Sequence, residues 1–192
     1  MAWLTEEEME NMGFSYVGKN VRISEKSTFY NCKNIRLGDD IRIDDFCVLA
    51  AGEGGIEIGR NIHIAVYCSL IGKGKIILED FSGLSSRVSL YSSSDDYSGT
   101  AMTNPTVPAE FTNVKHADIR IGRHVIIGAG SIVLPGVIIG DGAAVGALSL
   151  VTHSVGEFSM VTGVPAKHIR NRKRNILDLE YKFIQSVKKE PE

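Results

Sequence analysis

The chain has 192 residues, 43% of them hydrophobic, and a formal net charge of -2. That length suits one domain with short appendages, and the balanced charge argues against a protein devoted to nucleic acid, which is usually basic as a whole. The first residues carry no basic segment followed by an apolar run, and no stretch approaches the ~20 apolar residues of a membrane span, so neither a secretory signal nor a membrane span is expected and the cytoplasm is the default compartment.

In chain order, Thr5 and Glu8 form a capping-box pattern with Gly13 as a stop, which predicts a short N-terminal helical segment within 1–13. A six-residue repeat then governs 14–174. It is plainest at Ile121, Ile127, Val133, Ile139, Val145 and Val151, with glycine following at Gly122, Gly128, Gly140 and Gly146. Period six is neither strand alternation nor helical spacing. It predicts an all-β solenoid whose coils are triangular, with aliphatic side chains pointing inward and stacking on their equivalents in the next coil. The small residues are expected at corners that need positive φ.

Walked backwards, the register gives Val17, Ile23 and Phe29, then Leu37, Ile43 and Leu49, then Ile58, Ile64 and Leu70, then Leu78, Leu84 and Leu90, so about six coils in all. The register breaks at about 91–118, a segment with Asp95, Asp96, Tyr97, Pro105, Pro108 and Phe111, read as an extended, ordered loop. Ile176, Leu179, Phe183 and Val187 lie at helical spacing and predict an amphipathic helix over 175–187, followed by a tail to 192. Cys32, Cys47 and Cys68 show no zinc-like close pair and read as reduced structural thiols.

The run Ile127-Gly128-Ala129-Gly130-Ser131, with Leu134-Pro135-Gly136-Val137, Val145-Gly146-Ala147, Val151-Thr152 and Gly163-Val164-Pro165-Ala166-Lys167, resembles the hexapeptide-repeat acyltransferases. The likeness covers roughly 17–174 and is broadest with galactoside and maltose acetyltransferases and with sugar acetyltransferases of bacterial surface polysaccharides. It implies a left-handed parallel β-helix, a homotrimer with active sites between subunits, and acetyl-CoA as donor along the C-terminal coils. The resemblance places the donor near Ala129, Gly146, Ala147, Thr152 and Pro165, where small corner residues leave the backbone accessible. Lys167, Arg170, Arg172, Lys173 and Arg174 gather five cations in eight residues; Lys167 and Arg170 are the expected phosphate contacts.

The reaction needs a base to take a proton from the attacking amine or hydroxyl. The galactoside and maltose enzymes carry a His at the start of the loop, where this chain has Ser92-Ser93-Ser94-Asp95-Asp96-Tyr97, so Asp95 stands nearest that place. His63, one residue before the inward Ile64, points outward and is the first candidate for the base; Asp95 and Asp96 could instead act as base, orient an acceptor amine or simply form a turn. An acidic pocket at Asp95 and Asp96 suits an ammonium group. With the resemblance, this makes the expected reaction N-acetylation of an amino sugar, expected to be nucleotide-linked, in the synthesis of lipopolysaccharide O-antigen or another surface polysaccharide. O-acetylation of a sugar hydroxyl and a non-enzymatic solenoid scaffold are the alternatives. The five histidines are scattered, which argues against a zinc enzyme.

Overall fold

A computed structural model describes residues 2–187. Most of the chain winds into a three-sided prism, each side a parallel sheet built from one short strand per coil. The first face stacks Tyr16–Val17, Ile35–Leu37, Ile56–Ile58, Ile76–Leu78, Ile119–Ile121 and Ile138–Ile139. The second stacks Arg22–Ile23, Ile41–Ile43, Ile62–Ile64, Gly83–Leu84, Ile126–Ile127, Ala144–Val145 and Ser159–Thr162. The third stacks Thr28–Tyr30, Val48–Ala51, Ser69–Gly72, Ser89–Tyr91, Ile132–Val133 and Leu150–Val151.

β-Branched residues dominate these strands because they fit a pleated surface packed on one side. Each inward position meets its equivalent in register, as in Ile43 opposite Ile64 and Ile127 opposite Val145. Ile23, Ile43, Ile64, Leu84, Ile127 and Val145 thereby form one continuous buried column inside the second face. The six expected coils appear with the expected inward residues. A partial seventh follows, marked by a bridge between Ile139 and Val155 and by the pairing of Val145 with Val161. The periodicity conceals it, because the step from Val151 to Val155 is shorter than six residues.

The corner glycines have a different cause from the one their pattern suggests. Gly128 has an ordinary φ, but a Cβ there would stand 2.4 Å from the backbone nitrogen of Ala147 in the next coil. Close approach of coils, not left-handed backbone, excludes a side chain. The positive-φ corner position is taken two residues later, by Asn20, Asp40, Asn61 and, unexpectedly, by bulky residues including Phe46, Tyr67 and Phe81.

Helix α1 (Glu6–Asn11) carries the full capping box between Thr5 and Glu8. The loop expected at about 91–118 leaves the prism after Ser89–Tyr91 and closes at its base through Ser93–Ser94 paired antiparallel with Lys115–His116. After the last coil the chain reverses, and Lys167–Asn171 pairs antiparallel with Ser159–Thr162. Helix α2 (Asn175–Val187) then lies on the corner between the first and second faces. There Phe183 meets Phe81 edge-on, Glu180 accepts from Arg123, and the Glu180 carboxylate lies 2.8 Å from His124 Nε2.

Candidate active site

The turns from the second face to the third stack into one corner column: 24–27, 44–47, 65–68, 85–88, 128–131 and 146–149. Ala129, Gly146 and Ala147 fall in it, with both alanines exposed. The segment after Thr162 folds over the end of this column. Gly163 N donates to Ser149 Oγ at 3.1 Å, and Ala166 N donates to the Leu150 carbonyl at 2.8 Å. Pro165 and Lys167 therefore sit at the top of the corner that holds Ala129 and Ala147. Thr152 lies at the other end of the third face, its hydroxyl 2.8 Å from His153 Nδ1.

The cation cluster is divided. Arg172 Nη1 donates to the carbonyls of Gly142 (2.8 Å), Ala143 (3.1 Å) and His124 (3.2 Å), and Arg174 lies over the Phe158 ring. Both hold the C-terminal segment on the prism. Arg170 stands three residues beyond Lys167, roughly 10 Å along an extended strand, with its Nε against Met160 Sδ. Among the described residues, Lys167 has no ion-pair partner, and of the five clustered cations it follows most directly on Ala166, which bonds the corner's edge.

His63 faces outward from the middle of Ile62–Ile64, half exposed, with its Nε2 2.8 Å from Asp44 Oδ2. Arg42 Nε donates to the other oxygen at 2.7 Å. Asp44 itself is nearly enclosed. Burial pushes its carboxyl up, but the hydrogen bonds and charges of His63 and Arg42 outweigh that and leave it below the usual carboxylate range. With Nε2 committed to Asp44, Nδ1 is the ring nitrogen without a hydrogen-bond partner among the described residues. His63 pairs with the bare Gly83 above it and stands two coils below Ala129, roughly 10 Å at ~4.8 Å per coil.

The two loop aspartates behave differently. Asp96 accepts from Ser98 Oγ (2.7 Å), Ser98 N (3.1 Å), Thr100 N (3.0 Å) and Ala101 N (3.1 Å), and these bonds, those of Ser98 foremost, hold its carboxyl far below the usual range. It orders the turn. Asp95 is exposed, and its carboxylate has no hydrogen-bond partner among the described residues. The loop base lies at the far edge of the third face from the corner that holds Ala129 and Ala147. One third-face strand, Ser69–Gly72, spans about 13 Å between those edges.

The family model for bacterial transferase hexapeptide (six repeats) matches residues 118–153. Over 97% of both chains, the sequence is 55% identical to the dTDP-4-amino-4,6-dideoxy-D-glucose acyltransferase of Escherichia coli. This chain belongs to the hexapeptide-repeat acyltransferases. The Bacillus cereus N-acyltransferase AntD, solved with dTDP and 3-hydroxybutyryl-CoA, superposes with a TM-score of 0.92 at 44% identity, covering 97% of this chain and 98% of AntD. A galactoside acetyltransferase solved with coenzyme A shares the fold, at TM-score 0.61 and 22% identity over 89% of this chain and 72% of its own.

Other polar groups of this acyltransferase have structural work. Cys47 and Cys68 are buried and donate to the carbonyls of Ala65 and Ser85, each at 3.1 Å. The neighbouring Cys47 and burial push the Cys68 thiol up, which suits an inert group. No helix among the described residues is long and apolar enough to cross a membrane. Sequence reasoning missed Asp44 as the partner of His63. The signal was available: Arg42 pairs in register with His63, so Asp44 lies two residues beyond the position beneath it.

Proposed function

We propose that this acyltransferase moves an acyl group, acetyl in the simplest case, from its coenzyme A thioester to the 4-amino group of a dTDP-linked 4-amino-4,6-dideoxyglucose, a building block for a surface polysaccharide. The observation that carries this reading is the 55% identity, over nearly the full length of both chains, to an enzyme named for that nucleotide sugar. The donor is an acyl-CoA held along the corner formed by Ala129, Gly146 and Ala147. Its phosphates are met by Lys167, with Arg170 as the second cation, while Thr152 and Pro165 border the track.

Asp95 is the acid that receives the amine. An alkylammonium must lose a proton before its nitrogen attacks, and a free carboxylate can hold that group and accept the proton. The nitrogen then adds to the thioester carbonyl carbon, the C–N bond forms and the C–S bond breaks, and the second proton lost by the nitrogen passes to the departing thiolate, which leaves as coenzyme A. His63, two coils below the donor corner and tied to Asp44, serves the acceptor's nucleotide end. Asp96 shapes the loop that carries Asp95. Because the loop base and the donor corner lie on opposite edges of the third face, one site draws on two neighbouring copies in a homotrimer.

The test is turnover. The protein is incubated with acetyl-CoA or 3-hydroxybutyryl-CoA and the dTDP-linked amino sugar, thiol release is followed, and the product is weighed by mass spectrometry. The expected product carries the acyl group as an amide that survives hydroxylamine. A hydroxylamine-labile ester identifies O-acylation instead, and no acylation of the nucleotide sugar refutes the proposed acceptor.

A further inference from the structure

In this solenoid the left-handed corner position is filled cheaply in several coils by Asn20, Asp40, Asn61, Gly130 and Gly142. The bulky exceptions fall into two groups. On the corner between the first and second faces stand Phe81, His124 and Phe158, all with positive φ. The chain itself covers them, with Phe183 on Phe81, Glu180 on His124 and Arg174 on Phe158. On the corner between the second and third faces stand Phe46, Tyr67 and Arg87, also with positive φ, and Leu148 at the donor end.

This second ladder has no cover from the described chain. The Phe46 and Tyr67 rings stack on each other at 4.9 Å with an interplanar angle of 20°, yet remain 45% and 48% exposed. Arg87 lies over the Tyr67 ring at 5.3 Å and Lys26 over the Phe46 ring at 5.5 Å. Lys26 is paired with Asp45, whereas Arg87 has no ion-pair partner among the described residues. At the first corner the chain's own C-terminal segment packs on the bulky left-handed residues. At the second, the exposed part of the Phe46 and Tyr67 rings is left for an occupant from outside the chain.

We infer that Phe46 and Tyr67 seat the nucleobase of the acceptor and that Arg87 meets its diphosphate; this rests on the proposed nucleotide-sugar reading and extends it to named residues. Flat, half-exposed rings offer a stacking surface to a planar base, and an unpaired guanidinium beside them suits phosphate oxygens. The order along the corner fits the ligand. Phe46 and Tyr67 occupy two successive coils, Arg87 the next, and Ala129 at the donor track the one after that. From Phe46 to Ala129 the rise is three coils, roughly 14 Å at ~4.8 Å per coil, comparable to an extended nucleoside-diphosphate sugar. The base lies at the lower end, the diphosphate above it, and the sugar amine reaches the thioester. His63 and Asp44 flank the lower end, consistent with contact to the nucleotide rather than to the amine.

The test is calorimetric titration of the intact protein with dTDP, thymidine and coenzyme A. The variants are Phe46→Asn, Tyr67→Asn and Arg87→Ala; asparagine is chosen because it accepts the left-handed backbone at Asn61. Thermal melting and light scattering report folding and oligomer mass. The expected result is dTDP affinity weakened about tenfold in each aromatic variant. Arg87→Ala should weaken dTDP more than thymidine, and coenzyme A affinity and oligomer mass should not change. Variants that bind dTDP within twofold of wild type overturn the inference and leave the proposed function standing. Lost dTDP affinity together with lost oligomer mass assigns the ladder to a second copy and also overturns it. A wild-type protein that does not bind dTDP removes both the inference and the proposed acceptor.

Discussion

Asp95 and the donor corner lie at opposite edges of the third face, and this separation yields a test with a fixed numerical outcome. Asp95→Asn removes the acid but leaves the corner intact. Ala147→Trp fills the exposed corner and blocks the donor while leaving the loop intact. Each variant alone should lose about 10²-fold or more in turnover. The two are co-expressed with different tags, and oligomers carrying both tags are isolated. In a cyclic trimer containing both kinds of chain, one of the three neighbour pairs joins an intact corner to an intact loop, so activity should return to about one third of wild type per trimer. If each chain supplied both groups to its own site, every site would carry one lesion and no activity would return. The assay is thiol release from acetyl-CoA in the presence of the dTDP-linked amino sugar. Mixed oligomers no more active than the single variants would refute the shared site, and a mass other than a trimer would refute its symmetry.

Three further outcomes follow from the geometry. Lys167→Ala should raise the KM for the acyl-CoA about tenfold, as for loss of one charge-assisted phosphate contact, with little effect on the acceptor KM; an unchanged donor KM removes the assignment. Ile64→Ala empties the middle of the buried column inside the second face and should cost about 2–5 kcal/mol in denaturant unfolding, whereas a cost below about 1 kcal/mol would mean that adjacent coils collapse into the space. Asp44 titrates lower in the folded chain than its unfolded value of about 3.9, so its contribution to stability is complete above that value and fades as pH falls through the folded one. The stability gap between wild type and Asp44→Asn, measured by denaturant titration, should therefore be constant above pH ~5 and close below pH ~4; a gap that widens on acidification would reverse the sign.

The coils were legible in the sequence because each inward aliphatic does the same job as its neighbours at the same spacing. Ile121 through Val151 announce the prism, and the weaker N-terminal coils follow once the register is known. Two features escaped for physical reasons. Val155 belongs to a seventh coil, but the corner before it is shortened, so a fixed period steps over it. The corner glycines suggest left-handed backbone, yet Gly128 is excluded from bearing a side chain by Ala147 in the next coil, a contact that no single repeat contains. The site was less legible for the same reason. His63 and Asp44 face one another only because coils stack in register, and Asp96 parts from Asp95 only because a turn closes on one of them and not on the other.

A solenoid makes its interior uniform and leaves individuality to its corners. The same backbone step recurs at the first and second corners, and in several coils of both the left-handed position carries an aromatic ring, joined at the second corner by Arg87, where asparagine or glycine would be easier. At the first corner the C-terminal segment uses them: Arg172 ties its carbonyls, Arg174 lies on Phe158, and Glu180 reaches Arg123 and His124. That engagement consumes two of the five clustered cations and leaves Lys167 at the top of the other corner. The assignment of Lys167 to the donor and of Arg87 to the acceptor thus has one origin. Both are cations on the corner that helix α2 leaves open, and the proposed site places the meeting of thioester and amine on the stretch of backbone between them.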